Sequence, residues 1–275
     1  MFSNNKIKNN ILMDKNIIKI FIVFFLVCML FFIYKKTYVV ADGKNDLVYD
    51  VENGGNVIRK YNNVAVFGDS RLSTSLYSIP TYKGVTYYTF EGFNFEDMIY
   101  FFTGMFIQEP NLLANKLSKN SVLYNANLEN LKKMYNTFII ESKDYDKIIV
   151  QVGVNSVNID ISRFQGKYMQ FINLLHEKCP KATMYLVKMY GFSKSFPNYQ
   201  VNNSLVKRMN DTMNNLKGIF DYIKVISGKM TFVNDFRTYE IKDGYAADGI
   251  HINNHLDEYY EYINSIFVEA KVVKE

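Results

Sequence analysis

Five short apolar runs alternate with longer stretches whose apolar residues recur every three or four positions. This alternation constrains the fold of the chain more than any other feature. The runs are Asn63–Phe67 (NVAVF), Val85–Phe90 (VTYYTF), Lys147–Val152 (KIIVQV), Thr183–Met189 (TMYLVKM) and Tyr222–Ile226 (YIKVI). Helical patterning predicts Phe95–Phe106, Leu128–Glu141, Ile161–Lys178, Val201–Phe220 and His255–Ala270. In Ile161–Lys178 the residues Phe164, Tyr168, Phe171, Leu174 and Leu175 form one stripe, and Pro180 follows the end as a stop signal. Strands apolar on both faces, separated by amphipathic helices, predict a mainly parallel five-stranded sheet covered on both sides. The expected domain is a single α/β unit over residues 61–275, with no internal repeat and no low-complexity block.

Ahead of that domain, Ile20–Ile33 reads IFIVFFLVCMLFFI without a polar side chain, and lysines flank it on both sides. Ile17, Ile18 and Tyr34 extend it, and Lys19 can snorkel, so residues 17–36 are long enough for one transmembrane helix. A signal-peptide core is the alternative, with Val39-Val40-Ala41 as its cleavage site. Lys35-Lys36 directly after the core makes an uncleaved anchor the expected form. Lysine placement predicts a short cytoplasmic segment at 1–16 and an extracytoplasmic domain, with secretion after cleavage as the alternative. Residues 37–60, polar and carrying Gly54-Gly55, are expected to be a linker.

Of 32 basic and 27 acidic residues, six lysines and one aspartate lie in the first 36, which leaves 26 of each sign in the rest. The body of the chain therefore has no net attraction for polyanions, and nucleic acid is not an expected partner. An apolar fraction of 48% with 21% charged residues is ordinary for a globular domain and excludes a disordered or fibrous one. Cys28 sits in the apolar run, so a disulfide with Cys179 is not expected. His176, His251 and His255 show no metalloprotease spacing, and neither metal nor organic cofactor is implied.

In a parallel sheet the chemistry collects at the carboxyl ends of the strands. The first run ends VAVFGDSR, which puts Ser70 on the turn into a helix. That turn is either an ordinary helix cap or a nucleophile beside a helix N-terminus. The third run ends QVGVNSVN, and Asn155 is either a turn cap or an amide donor to an oxyanion. AADGIHIN precedes the last helix, and Asp248 and His251 are spaced so that the carboxylate can hold one ring nitrogen. The alternative is a helix-start aspartate with a surface histidine, and for His255 a surface role is the expected one.

These blocks together resemble the SGNH (GDSL) hydrolase family over about residues 63–268. FGDSR matches the first block and implies Ser70 as nucleophile. TYYTFEGFNFED offers Gly92 as a backbone oxyanion donor, and GVNS supplies Asn155. Ser156 departs from the family, which often has aspartate there. DGIH matches the last block, with His251 as base and Asp248 as its partner. The resemblance implies a flavodoxin-like three-layer α/β/α fold and an oxyanion hole formed by Ser70, Gly92 and Asn155. It implies a serine esterase acting on small acyl esters, with O-acetyl groups on envelope carbohydrate as one substrate class. An O-acyltransferase of the same fold and a non-catalytic glycan-binding module are the alternatives.

Overall fold

The computed structural model describes residues 57–58, 63–72, 85–90, 92–109, 121–156 and 161–272. The chain divides into two units, Met1–Lys44 and Asn45–Glu275, and every described residue belongs to the second. The candidate span at 17–36 lies outside the described residues. Among the described residues no helix is long and apolar enough to cross a membrane.

The elements follow the predicted alternation. Strands β1 (Val57–Ile58), β2 (Val64–Gly68) and β3 (Val85–Thr89) come first. Helices α1 (Phe95–Thr103), α2 (Met105–Gln108) and α3 (Ser121–Glu141) follow. Then come β4 (Lys147–Gln151), α4 (Ile161–Lys178), β5 (Thr183–Val187), α5 (Tyr199–Ile219) and β6 (Ile223–Ile226). A hairpin of β7 (Val233–Asp235) and β8 (Glu240–Ile241) precedes α6 (Leu256–Glu269). The main sheet runs β1-β3-β2-β4-β5-β6. Five of its strands are parallel, and β1 adds to the β3 edge in antiparallel pairing.

Without β1 this is the flavodoxin-like strand order, and its direction of winding reverses between β2 and β4. Strand residues alternate between two cores. Ala65, Phe67, Tyr88, Ile148, Val150, Met184 and Leu186 face the side covered by α1, α3, α4 and α5. Val64, Val66, Val85, Tyr87, Ile149 and Val187 face Tyr259, Tyr262, Ile263, Ile266 and Phe267 of α6. Both faces are buried, which is why β2 reads as an unbroken apolar run; β3 is buried throughout but carries Thr86 and Thr89. The first core is largely aromatic. Phe67 stacks on Tyr88 at 4.9 Å and meets the edges of Phe102 and Phe138 at 5.4 and 5.8 Å.

Three expectations need correction. The presumed linker 37–60 contributes β1, so the sheet has six strands; two residues are too few to show a period in the sequence. The helix expected over Phe95–Phe106 breaks at Gly104, which caps α1 in the left-handed region at φ 72°. A Cβ there would lie 2.7 Å from the Tyr135 hydroxyl, so the glycine also permits close approach of α3. The hairpin β7–β8 was not anticipated either, because its strands are three and two residues long.

Candidate active site

The chain leaves β2 through a sharp turn. A Cβ on Gly68 would overlap Leu72, because the helix that begins at Ser70 folds back over the strand end. Gly68 pairs with Thr89 of β3 on one side and Gln151 of β4 on the other. The turn therefore sits at the reversal point of the sheet, where the strand ends leave a crevice.

Asp69 is 2% exposed and holds this turn together. Its Oδ1 accepts from the Arg71 N–H at 3.0 Å, and its Oδ2 accepts from the N–H groups of Gly153 and Val154, both at 3.0 Å. Burial raises its carboxyl above the ordinary range, while the Arg71 charge and the three backbone donors act against that rise. One side chain thus ties the end of β2 to the loop after β4. Gly153 lies at φ 139°, and a Cβ there would come within 2.8 Å of the Met189 sulfur, so no side chain fits.

The Ser70 hydroxyl lies 3.0 Å from Nε2 of His251. On the far side of the ring, Nδ1 lies 2.6 Å from Oδ2 of Asp248. The other carboxylate oxygen accepts from the backbone N–H groups of Ile250 and His251 at 2.9 and 2.8 Å. Burial pushes the Asp248 carboxyl up, but the His251 bond and the two backbone donors outweigh it and hold it below its ordinary value. The carboxylate is an acceptor, so the ring proton belongs on Nδ1 and Nε2 presents its lone pair to the serine hydroxyl.

The turn carrying Asp248 and His251 is a self-bonded loop. Asn253 and Asn254 donate backbone N–H groups to the Tyr245 carbonyl, both at 3.2 Å, and the Asn254 amide donates to the Gly244 carbonyl at 2.7 Å. The Ala247 N–H donates to Asn253 Oδ1 at 3.0 Å. His255 stacks on Tyr245 with ring centroids 4.2 Å apart at the entry to α6. It serves the loop rather than the Ser70–His251–Asp248 chain.

Asn155 and Gly92 lie outside that hydrogen-bonded chain but at the same sheet edge. Asn155 sits in a single 3-10 turn, Val154–Ser156, just past β4. Its side-chain Nδ2 is buried without a hydrogen-bond partner, and a buried amide donor is costly to leave unpaired. Gly92 is exposed at φ 74°, three residues beyond the end of β3. Ser156, the departure from the family pattern, has a structural role. Its hydroxyl accepts from the Phe95 N–H at 3.1 Å, one of the otherwise unpaired donors at the start of α1. That bond joins the Asn155 turn to the loop holding Gly92. Among the described residues no cluster of His, Cys, Asp and Glu could hold a metal ion.

Asp69 takes the backbone-bonding role that the cap reading of this turn offered. Sequence reasoning missed Arg71, whose side chain bonds the Tyr190 and Gly191 carbonyls. In sequence it looks like an ordinary polar turn residue, and only its position inside the GDSR block could have flagged it.

No family model matches the chain, and no curated protein does. Several solved structures do. A GDSL-like lipase from Bacteroides thetaiotaomicron aligns at 11% identity with a TM-score of 0.48, over 75% of this chain and 88% of that one. The C-terminal catalytic domain of peptidoglycan O-acetyltransferase A from Streptococcus pneumoniae aligns at 15% identity and 0.42, over 78% and 96%. A carbohydrate esterase family 3 protein from Talaromyces cellulolyticus aligns at 13% identity and 0.44, over 76% and 98%.

Proposed function

We propose that this chain is a serine acyl-ester hydrolase of the SGNH type. The observation that supports it most is the unbroken relay from Ser70 Oγ to His251 Nε2 at 3.0 Å and from His251 Nδ1 to Asp248 at 2.6 Å. A hydroxyl is a weak nucleophile unless a base takes its proton as it attacks. In the proposed first step Ser70 Oγ bonds to the ester carbonyl carbon, its proton passes to His251 Nε2, and the carbonyl oxygen takes the electron pair. Asp248 stabilises the imidazolium. Collapse of the tetrahedral species expels the alcohol, which receives the proton from His251. Water then repeats the sequence on the acyl-serine and releases the acid.

The oxyanion would be held by the N–H groups of Ser70 and Gly92 and by the Asn155 amide. Removing one such donor typically costs about 2.7–4 kcal/mol of transition-state stabilisation. The unpartnered Asn155 Nδ2 supports that role. The residues used need no metal or organic cofactor. The substrate class proposed is small acyl esters, with O-acetyl groups on envelope carbohydrate as the first to test.

A fluorophosphonate should label Ser70 stoichiometrically, as read by mass spectrometry of the modified peptide. An ester panel with acetylated oligosaccharides, run with and without acceptor sugars, should release acetate into water. Absence of both label and turnover would refute the hydrolase. Acetate appearing only on the acceptor would assign an acyltransferase instead.

The apolar run Ile20–Ile33 supports a membrane anchor with the catalytic domain outside. The full chain expressed in bacteria should sediment with membranes, resist alkaline carbonate extraction and keep its full mass. Recovery as a shortened soluble protein would favour signal cleavage.

A further inference from the structure

Ser70 and His251 are 181 residues apart, yet their side chains meet at 3.0 Å. The segment Tyr190–Phe196, between β5 and α5, spans the distance between their two turns. On one side Arg71, next to the nucleophile, donates from Nη1 to the Tyr190 carbonyl at 2.5 Å and from Nη2 to the Gly191 carbonyl at 2.7 Å. Its guanidinium also lies 4.0 Å over the Tyr190 ring. On the other side the Ser193 N–H donates to the carbonyl of Gly249 at 3.0 Å. Gly249 stands between Asp248 and His251, at φ 77°, and a Cβ on it would lie 2.7 Å from Phe196.

The segment is also gripped from α5. Asn203 pairs through both amide atoms with the backbone of Phe192, at 2.6 and 3.0 Å. Asn210 does the same with Met189, at 2.8 and 2.9 Å. Two buried asparagines one heptad apart thus replace the sheet partners that the backbone after β5 has lost. The segment is a strut bonded at both ends and from α5.

Local rules argue against Arg71 where it stands. It is 5% exposed, so its charge has left water. It also lies in the first turn of a helix, where the dipole disfavours a cation. A residue that breaks two local rules points to a compensating tertiary role. We propose that Arg71 is a positioning residue that sets the Ser70–His251 spacing through the Tyr190–Phe196 strut. This rests on the hydrolase reading for its kinetic consequence, but its structural content does not.

The planar fork is what the site uses, since two adjacent carbonyls are engaged at once and a lysine ammonium cannot match that geometry. Full-length wild type, Arg71→Met, Arg71→Lys and a stability control, Leu175→Ala in the last turn of α4, would be compared. The measurements are kcat, KM, melting temperature and the downfield proton NMR signal of His251 Nδ1–H. Arg71→Met should lose about 10²-fold in kcat at unchanged KM, because small misplacement of reacting groups costs that much. Its His251 signal should broaden or vanish. Arg71→Lys should recover no more than about tenfold of that loss. Leu175→Ala should melt earlier while keeping its kcat and its His251 signal.

Wild-type kcat and an intact signal in Arg71→Met would overturn the proposal. If Arg71→Met does not fold, Arg71→Lys decides in the same way. If wild type shows no turnover at all, the hydrolase reading has failed separately. The His251 signal then decides the strut: loss in the Arg71 variants supports it and retention overturns it.

Discussion

Ser70→Ala should lower the hydrolysis of a small aryl acetate by about 10⁴-fold or more, since residual rates without the nucleophile come from binding and oxyanion contacts alone. The variant should remain folded. Ser70 is partly exposed, and deleting one hydroxyl there opens no cavity in either core. Asp69 still clamps Gly153 and Val154, and Gly68 still allows the turn to Leu72. The discriminating result is therefore a lost rate at an unchanged melting temperature and far-UV spectrum. Turnover like that of the wild type would remove Ser70 from the reaction and the esterase assignment with it.

The second large effect concerns the other two members of the relay. His251→Ala should cost about as much as Ser70→Ala, because members of such a unit fail together. Asp248→Asn should cost as much or somewhat less, about 10⁴-fold. The asparagine Oδ1 can still accept from the N–H groups of Ile250 and His251, so the loop should keep its shape. The Nδ2 amide, however, would face the ring as a donor. It would drive the ring proton to Nε2, where the lone pair is needed for Ser70.

The pH dependence follows from the Asp248 carboxyl, which is held below its ordinary value in the folded chain. A lowered folded value means the carboxylate favours folding above the unfolded value of about 3.9. That contribution disappears as pH falls through the folded value. Half of the side chain faces solvent, so the stability effect is small. The wild-type melting temperature should show a small extra fall as the pH drops through and below the usual carboxylate range, and Asp248→Asn should lack it. Thermal melts of both proteins between pH 2 and 6 would check this; an identical acid loss in both would assign it elsewhere.

Much of this arrangement was legible before any coordinates. The both-face-apolar strands announced a covered parallel sheet, and four of the five predicted helices appear as single helices within two residues at most ends, apart from the earlier start of α3. Ser70 and Asn155 could be placed because a strand end followed by a polar turn is a local pattern, and Asp248 and His251 because they stand three apart before the last helix. Elements without a local period could not be. Two-residue β1 is a strand only because the β3 edge accepts it, and β7 and β8 only because they pair with each other. Gly104 read as one glycine in a helix, whereas its left-handed backbone ends α1 and its missing side chain leaves room for Tyr135 of another helix.

Sequence alone determined where strands end and which side chains stand at those ends, since chain polarity and a two-residue side-chain period are local properties. Only the tertiary structure decided that Ser70 and His251 meet. That contact depends on Asp69 reaching the β4 loop and Arg71 gripping the Tyr190–Gly191 carbonyls, with Gly249 lying against Phe196. These are bonds between segments far apart in the chain, and no local propensity encodes their partners.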